Sequence, residues 1–433
     1  MKYSHHQFEK LVKHIKSKEI KEQAKKEAKD FTRKRKLSVD NLICYNLNKR
    51  GLTTKMELED FIELCNIGDV SSPALLKQRE KLNPEVFKYL HHDLLKDFYT
   101  LFQEEVKTYK GYILSAIDGS EWEIPNTKQA RQRWNPQSTQ CARAQVSNCY
   151  DVLNCYVLDT EVKMSKHSEL DIAKTHLKKT KEIVGNFPVI RIMDRGYNSL
   201  SEIYHSIKAN EKFVIRIQST FLKSEQKKMQ SDDEWVEVEY EYNRIRNWKD
   251  KDPEFYHFLK ARNILKVRFV KVELDTGEIE VLMTNLEQEK FSSIDLEHIY
   301  RLRWGIETNF HYLKESMKMT NISSSKEDLI KQEIYSQMLV FNMLQSIQNE
   351  VEEEIDQSKY KHKMKINSNM AIGYIKRYMI IIFLEEDLDK RNELYQVLHQ
   401  KILKHIIPVR NNRKYDRNKV TRNKHHINKR KSF

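Results

Sequence analysis

Four residues that can take part in acid–base and phosphate chemistry recur along the segment 300–318: Tyr300, Arg303, Glu307 and Lys314. If this segment is one helix, a rotation of about 100° per residue places all four within roughly 60° of one another around its axis. Two cations and a phenol would then surround one carboxylate. Taken alone, Arg303 and Glu307 are equally compatible with a surface salt bridge of small energetic value, so both interpretations stay open at this point.

A stripe of apolar residues runs along the adjoining side of the same segment. It predicts that this side of the helix packs into a core and sets the depth of Glu307. The stripe consists of Ile299, Leu302, Ile306, Phe310, Leu313 and Met317.

Two further carboxylates share a local context. Asp118 follows the apolar run 112–117, Asp194 follows the apolar run 189–193, and a turn containing glycine comes after each. We therefore expect both aspartates at the ends of strands, where a rigid sheet holds a side chain still. For either aspartate alone, a role as a turn residue is the simpler explanation.

Together with Glu307, Asp118 and Asp194 make a set of three carboxylates, the ligand type that Mg²⁺ and Mn²⁺ prefer. In two-metal sites the ions lie about 3.5–4 Å apart and stabilise the attacking and leaving oxygens of an in-line phosphoryl displacement. Three acids on two strands and a helix therefore predict a site for two Mg²⁺ or Mn²⁺ ions that acts on a phosphate ester.

The overall charge indicates the kind of partner. The 433-residue chain has 77 Lys and Arg against 63 Asp and Glu, a net charge of +14. This excess favours an anionic polymer, and nucleic acid before a membrane surface. No apolar run approaches the roughly 18 residues that span a bilayer, and the first residues lack the apolar region of a signal peptide. The five cysteines form no CxxC pair, so we expect a cytoplasmic protein without disulfides or zinc.

The hydrophobic patterns divide the chain into five regions. Strands in hairpins are followed by strands that alternate with helices, which indicates a mixed α/β core flanked by helical regions. The regions are a helical N-terminal DNA-binding domain at 1–105, a catalytic domain at 106–217 and 290–345, an inserted β-rich subdomain at 218–289, a helical region at 346–408 and a basic tail at 409–433.

One predicted helix of the N-terminal region carries Lys77, Gln78, Arg79 and Lys81. Short helices with a basic, Gln-bearing member can read DNA in the manner of a helix-turn-helix, or can form a solvated helical bundle. The basic tail suits contact with phosphates, although it can also serve only to balance charge.

The motifs resemble one known family. The pattern Y-x2-R-x3-E-x6-K is met by Tyr300, Arg303, Glu307 and Lys314, the sequence AIDGS carries Asp118, and IMDRGY carries the second aspartate. This combination is similar to the signature of the insertion-sequence-four family of DDE transposases. The segments FTRKRKLS, SSPALLKQREKL and INSNMAIGYIKRY also resemble family sequence, and the likeness extends over roughly 30–410.

The resemblance implies a ribonuclease-H-like catalytic core with an inserted β-rich subdomain between the second aspartate and the glutamate, which are 113 residues apart here. It implies that Asp118, Asp194 and Glu307 bind the metal ions. It also implies a bacterial enzyme of the cut-and-paste type, with or without a DNA hairpin. The implied partners are double-stranded DNA with terminal inverted repeats, target DNA, and a second copy of the chain in the DNA complex.

The same resemblance implies that Tyr300, Arg303 and Lys314 hold DNA near the cut. We therefore expect the three carboxylates to converge, with Arg303 and Lys314 lining the same cleft. In that arrangement Arg303 is directed to phosphate rather than to Glu307.

Family members can also use an aromatic residue of the inserted region to hold a flipped base. Trp235 and Trp248 both lie in this region. Alternation with Val236 and Glu237 places Trp235 on the exposed face of its strand, which favours it, although packing at the edge of the β-rich region explains either tryptophan as well.

Three other functions remain compatible with the sequence. A structure-selective nuclease on the same fold would share the three acids but lack strand transfer. A non-catalytic DNA-binding relative would have lost an acid or Lys314, and none is lost here. A basic helical protein with chance acids would show no cleavage that depends on a divalent metal.

Overall fold

The computed structural model describes residues 2–134, 141–164, 167–238, 246–273 and 277–409. Within these ranges the chain forms an eight-stranded mixed sheet with helices packed against both faces, and a separate two-stranded sheet made by the last two strands. The strands are β1 (Ile113–Glu123), β2 (Arg143–Asp151), β3 (Tyr156–Met164), β4 (Val189–Met193), β5 (Lys212–Ile217), β6 (Asp233–Val238), β7 (Leu265–Glu273), β8 (Ile279–Thr284), β9 (Met364–Ile366) and β10 (Ile406–Pro408).

The first five strands form the core of the sheet, in the order β3-β2-β1-β4-β5. β1, β2 and β3 are antiparallel neighbours, whereas β4 is parallel to β1, and β5 is parallel to β4. The two parallel strands are short apolar runs because helices cover both of their faces. This order and these directions are the ribonuclease-H-like arrangement, so the predicted fold class is confirmed.

The inserted region differs from the separate subdomain that we expect from the sequence. Its strands β8, β7 and β6 continue the central sheet, with β8 antiparallel to β5. The pairing satisfies the edge of β5, whose backbone groups would otherwise be unpaired. The turn between β7 and β8 falls partly in 274–276, and the predicted continuation of β6 falls in 239–245; both lie outside the described residues.

The helices surround this sheet. They are α1 (Tyr3–Lys16), α2 (Lys18–Gln23), α3 (Val39–Leu47), α4 (Thr54–Cys65), α5 (Ser72–Arg79), α6 (Glu85–Leu101), α7 (Lys128–Trp134), α8 (Glu169–Val184), α9 (Leu200–Lys208), α10 (Lys223–Lys228), α11 (Pro253–Lys260), α12 (Ser293–Leu302), α13 (Trp304–His311), α14 (Glu327–Glu354), α15 (Ser368–Leu384) and α16 (Leu388–Lys404).

The two faces of β1 pack against different helices. On the front face, Ala116 shares a core with Ile306 of α13. On the back face, Ile117 shares a core with Ala173 of α8. Because side chains alternate along a strand, every second residue of β1 points to α12 and α13, and the others point to α8.

The helices of 1–105 share a single core with the helices of 346–408. Phe8 of α1 contacts Phe383 of α15 with their ring centroids 5.8 Å apart, and both belong to the cluster that includes most of α14. The N-terminal region is helical, as predicted. It packs directly on the catalytic core and does not stand apart from it.

The expectation that α5 reads DNA is wrong for Arg79. This side chain is fully buried, and its guanidinium bonds to Gln332 and Glu333 of α14. An ion pair enclosed between two packed helices cannot meet a DNA groove. The helix begins at Ser72, and the buried Arg79 at its C-terminal end joins the N-terminal region to the core.

No helix among the described residues is long and apolar enough to cross a membrane. The basic tail beyond position 409 lies outside the described part of the chain.

Candidate active site

Asp118 and Asp194 lie side by side on the front of the sheet. β1 and β4 are paired in parallel up to Ala116 and Ile192, and each aspartate is two residues further along its chain. The even spacing gives both aspartates the same facing as Ala116 and Ile192, toward α12 and α13. Two acids that are 76 positions apart in sequence therefore meet because of strand register.

The predicted position of Asp118 at a strand end is wrong. β1 continues past it to Glu123, because β2 pairs with it along this whole length and places Asn148 directly opposite Asp118. Gly119 does not interrupt the strand. The prediction is right for Asp194, which follows the last residue of β4.

Each aspartate accepts a hydrogen bond from the backbone N–H of the glycine in its own motif. Gly119 N donates to Oδ1 of Asp118 at 2.8 Å, and Gly196 N donates to Oδ1 of Asp194 at 2.8 Å. A Cβ at Gly196 would lie 3.0 Å from that same oxygen, so a larger residue there would displace the carboxylate. The glycines in the two motifs thus serve the geometry of the acids.

Glu307 approaches the two aspartates from α13. The predicted apolar stripe is buried, apart from half-buried Leu302, and it seats the helix against the sheet. The Glu307 side chain remains 38% exposed. Its position at the edge of the packed side is what the stripe predicts.

The segment 300–318 is not one regular helix. At Arg303 the backbone tightens, since Arg303 N bonds to Tyr300 O and Ile306 N bonds to Arg303 O, each at 3.0 Å. At Tyr312–Ser316 it widens into a π-helical turn. Turns of this kind concentrate at functional sites because they re-aim side chains, and this one carries Lys314.

Arg303 pairs with Glu307, which corrects the expectation that it is directed away from that acid. Its Nη2 donates to Oε1 of Glu307 at 2.6 Å. The guanidinium is almost fully buried and lies 5.7 Å from the Tyr300 ring centroid and 5.5 Å from that of Trp304. A buried cation needs a nearby anion, and Glu307 is the acid on the next turn.

Lys314 lies on the same face as Asp118. Its Nζ donates to Oγ of Ser120, which is two residues after Asp118 on β1. Burial lowers the pKa of Lys314, while the charges of nearby acids, Asp118 among them, act in the opposite direction. The structure thus brings Lys314 and Arg303 to the cleft that contains the carboxylates.

Electrostatic coupling joins the three acids. Burial raises the pKa of Asp118 to about 6; the Gly119 N–H and Arg303 lower it, and the charges of Asp194 and Glu307 raise it again. Among the described residues, however, no three His, Cys, Asp or Glu side chains are gathered tightly enough to form a ready metal cage. The acids are neighbours, and Glu307 is turned toward Arg303.

The donor set fits an oxygen-seeking divalent cation. Asp118, Asp194 and Glu307 offer only carboxylate oxygens. Next to them, Asn148 is fully buried, and in the described part of the chain its Nδ2 has no hydrogen-bond partner. An unpaired amide opposite Asp118 is available to support a carboxylate that rotates toward a cation.

Tyr300 and the tryptophans fall into different environments. The Tyr300 hydroxyl is buried, and burial raises its pKa. Trp235 on β6 is 44% exposed while Val236 is buried, which agrees with the alternation in the sequence. Trp248 instead packs against Phe255, with ring centroids 5.8 Å apart.

Sequence reasoning missed Glu169, the first residue of α8. A Cβ on Gly119 would lie 3.4 Å from its Oε1, and a Cβ on Gly196 would lie 3.4 Å from its Oε2. Burial and the charge of Asp194 raise its pKa. In the sequence it looks like an ordinary acid in the first turn of a helix, and no motif distinguishes it.

Comparison with known proteins gives three results. Residues 109–343 match the family described as transposase DDE domain. The chain is 23% identical over 244 residues to the transposase InsG for insertion sequence element IS4 of Escherichia coli (strain K12). That match covers 54% of this chain and 52% of InsG, so the chain spans about half the length of this relative. The solved piggyBac transposase in its synaptic complex with hairpin DNA is 8% identical with a TM-score of 0.47, covering 91% of this chain and 85% of that one.

Proposed function

Because the chain belongs to the transposase DDE domain family, we propose that it is a DNA transposase that cuts transposon ends and joins them to target DNA. The observation that carries this proposal is the register that sets Asp118 beside Asp194 on the face that Glu307 approaches. The reaction is a phosphoryl transfer that depends on a divalent metal.

Asp118, Asp194 and Glu307 would hold two Mg²⁺ or Mn²⁺ ions, which supply activation of the attacking oxygen and stabilisation of the leaving one. The sheet fixes the two aspartates, whereas Glu307 is on a helix and is paired with Arg303. Glu307 must therefore turn from Arg303 to join the aspartates. The arginine released in this way has a buried guanidinium in the cleft, close enough to Asp118 for the two charges to interact.

Tyr300, Arg303 and Lys314 would hold the DNA backbone at the cut. A released guanidinium matches two phosphate oxygens at once. Lys314 adds a point charge beside Ser120, near Asp118. Tyr300 lies under Arg303, whose guanidinium interacts with its buried hydroxyl, and this hydroxyl would donate to a phosphate oxygen held beside the guanidinium.

Trp235 would stack on a base that leaves the duplex, the step a hairpin route requires. Its exposure on β6 supports this role, since stacking on an aromatic side chain contributes about 1–3 kcal/mol per base and needs an accessible ring. Trp248 is held against Phe255 and is less suited to it.

The N-terminal region would bind the transposon end through a basic cleft of about 620 Å³. Three acids also line it, and two of them are paired, Asp40 with Lys21 and Glu22 with Lys25. No carboxylate of the described residues pairs with Arg33, Lys34 or Arg35. The cleft is lined by eight basic residues: Lys18, Lys21, Lys25, Lys29, Arg33, Lys34, Arg35 and Lys81.

The proposed substrates are double-stranded DNA with terminal inverted repeats and, after excision, target DNA. Two ends must be cut together for the element to move as a unit, so the active complex would contain two copies of the chain. The DNA that flanks the gene provides the repeat sequence for an assay.

The test is cleavage of a labelled terminal-repeat duplex with Mg²⁺, followed by joining to a supercoiled plasmid. We expect Asp118→Asn, Asp194→Asn and Glu307→Gln each to abolish cleavage without unfolding, while the exposed control Glu289→Gln cleaves like wild type. Cleavage without a joined plasmid product would indicate a nuclease. Normal cleavage by Asp118→Asn would refute the site.

A further inference from the structure

A run of buried hydrogen bonds ends at the main chain of Asp118. Oγ of Ser147 donates to the carbonyl oxygen of Asp118 at 3.2 Å. Nε2 of His176 lies 3.0 Å from that hydroxyl, and Nδ1 of His176 lies 2.7 Å from Oδ2 of Asp159. His176 and Asp159 are completely buried and Ser147 is 3% exposed. We call Ser147, His176 and Asp159 the buried relay.

The buried relay lies behind the sheet, opposite the cleft. Ser147 is the cross-strand partner of Gly119, on the side of β1 that faces α8. His176 is on α8 itself, and Asp159 is on β3. The Asp118 carboxylate points forward while its backbone is held from behind.

The buried relay has the same order of side chains as a Ser-His-Asp triad, but a substrate cannot reach its serine. A nucleophilic serine needs an exposed hydroxyl beside a substrate site. Ser147 is enclosed, and its hydroxyl is occupied by the carbonyl of Asp118. Its effect on chemistry must therefore pass through Asp118.

The number of hydrogens available for these hydrogen bonds determines which ring nitrogens of His176 must be protonated. Asp159 is ionised: burial raises its pKa, but Lys88, His176 and His92 together hold it well below its usual range. A carboxylate only accepts, so Nδ1 of His176 carries a proton. The Ser147 hydroxyl donates its one hydrogen to the carbonyl oxygen of Asp118, so it can only accept a hydrogen bond from His176. Nε2 of His176 must therefore carry a proton as well.

The hydrogen bonds of the buried relay are therefore all satisfied only when both ring nitrogens of His176 carry a proton, Nδ1 toward Asp159 and Nε2 toward Ser147. If the His176 ring were neutral with the proton on Nδ1, the single proton of Ser147 would turn to Nε2. The carbonyl of Asp118 would then lose its donor from Ser147. The Asp159 carboxylate thus influences the hydrogen bond to the Asp118 carbonyl through the side chains of His176 and Ser147.

We propose that Ser147, His176 and Asp159 are positioning residues that fix the main chain at Asp118 and thereby aim its carboxylate. This inference rests on the proposed role of Asp118 as a ligand of the catalytic metal. Groups that orient a metal ligand from behind typically contribute about 10- to 100-fold in metal affinity or activity.

The first experiment compares Ser147→Ala, Ser147→Thr and Ser336→Ala in the full chain. Ser336 is a matched control: it is fully buried and donates to the carbonyl of Asn46 at 3.1 Å, among the helices of the N-terminal core. We expect Ser147→Ala to lower kcat for terminal-repeat cleavage about 10- to 100-fold and to raise the Mg²⁺ concentration for half-maximal rate, with KM for DNA unchanged.

In the same comparison, Ser147→Thr keeps the hydroxyl and should restore most of kcat. Ser336→Ala should lose similar stability while keeping both kcat and the Mg²⁺ dependence. A Ser147→Ala enzyme with wild-type kcat, or one that behaves like Ser336→Ala, would overturn the positioning role.

The second experiment does not depend on activity. In protein labelled with ¹⁵N-histidine, His176 is identified by the signals missing from His176→Gln. We expect both ring nitrogens to be protonated at neutral pH, and the Nε2 signal to move in Ser147→Ala. A neutral ring would refute the proton arrangement. If Asp118→Asn cleaved normally, the proposed catalytic site would fail, whereas the ¹⁵N result would still decide the buried relay.

Discussion

Arg303 and Glu307 are joined by a 2.6 Å ion pair in which the arginine is almost fully buried and the glutamate is 38% exposed. The pair connects the cation expected to hold phosphate with the acid expected to hold metal. Each is thus the other's partner before substrate arrives. Binding of the metal by Glu307 would free Arg303 at the place where a phosphate must lie.

Lysine in place of Arg303 should not support full cleavage activity. Arg303→Lys keeps one charge but loses the planar fork that meets two oxygens, and we expect about a 10-fold fall in kcat. Arg303→Ala should lower kcat by about 10²- to 10³-fold, the range for removing one preorganised donor to a developing charge. Single-turnover cleavage measures both. Wild-type rates in Arg303→Lys would contradict a phosphate role.

Asp118 should make the folded protein less stable as pH rises. Its pKa is raised to about 6, so between its unfolded value of about 3.9 and 6 the folded state binds more protons than the unfolded state. This contribution to stability is present below about pH 4 and is lost as pH rises through 6.

Asp118→Asn should therefore be more stable than wild type at pH 7.5, by about 2 kcal/mol, with little difference near pH 4. Urea unfolding with EDTA present measures the difference at both pH values. If the difference in unfolding free energy between Asp118→Asn and wild type does not change with pH, burial and like charges do not raise the pKa of Asp118.

Replacing Trp235 should impair the processing of DNA ends, whereas replacing Trp248 should lower the stability of the protein. Trp235→Ala removes a 44% exposed ring, so its free energy of unfolding should stay within about 0.5 kcal/mol of wild type while end processing falls. Trp248→Ala breaks the contact with Phe255 and should cost about 1–3 kcal/mol. Thermal unfolding and hairpin formation on a labelled end test the pair.

Arg79 should act as a structural residue. Arg79→Ala leaves Glu333 without one of its buried cations, and breaking a buried pair typically costs about 3–5 kcal/mol. Lys77→Ala, on the exposed side of the same helix, should stay within about 0.5 kcal/mol of wild type. Equal stability of the two variants would disagree with the packing of α5 on α14.

The basic cleft should contribute a salt-dependent share of DNA affinity. Replacing Arg33, Lys34 and Arg35 by Ala should weaken binding of terminal-repeat and random duplexes alike. The slope of log K against log salt should fall by about 2 to 3, at about 0.9 per phosphate contact.

A charge-matched control for the cleft is available in the segment before α15, which runs from an exposed loop into β9. Lys361, Lys363 and Lys365 are all exposed, and their triple Ala variant changes net charge equally. We expect it to leave the salt slope nearly unchanged. If both triple variants lose the same affinity, the cleft adds only general charge.

Local sequence determined much of the fold, because local patterns report local structure. Val189–Met193 was readable as a short buried strand, and the stripe along 299–317 was readable as a packed helix face. The motifs around Asp118, Asp194 and Glu307 carried the family resemblance, and the match over 109–343 bears out that family.

Other features were decided by partners that are distant in sequence. β1 extends beyond Asp118 only because β2 pairs along it, and the inserted strands join the main sheet because β8 finds the free edge of β5. Arg79 is a basic residue on a short helix by sequence, but α14 encloses it.

The site shows the same division. The spacing of Arg303 and Glu307 is compatible with a salt bridge or with separate roles in binding phosphate and metal. Because the guanidinium is buried, the two residues form the salt bridge. Ser147, His176 and Asp159 come from two strands and a helix and carry no motif. Sequence determined which residues could do the chemistry; strand register and burial decided which of them meet, because only the packed structure sets distance and solvation.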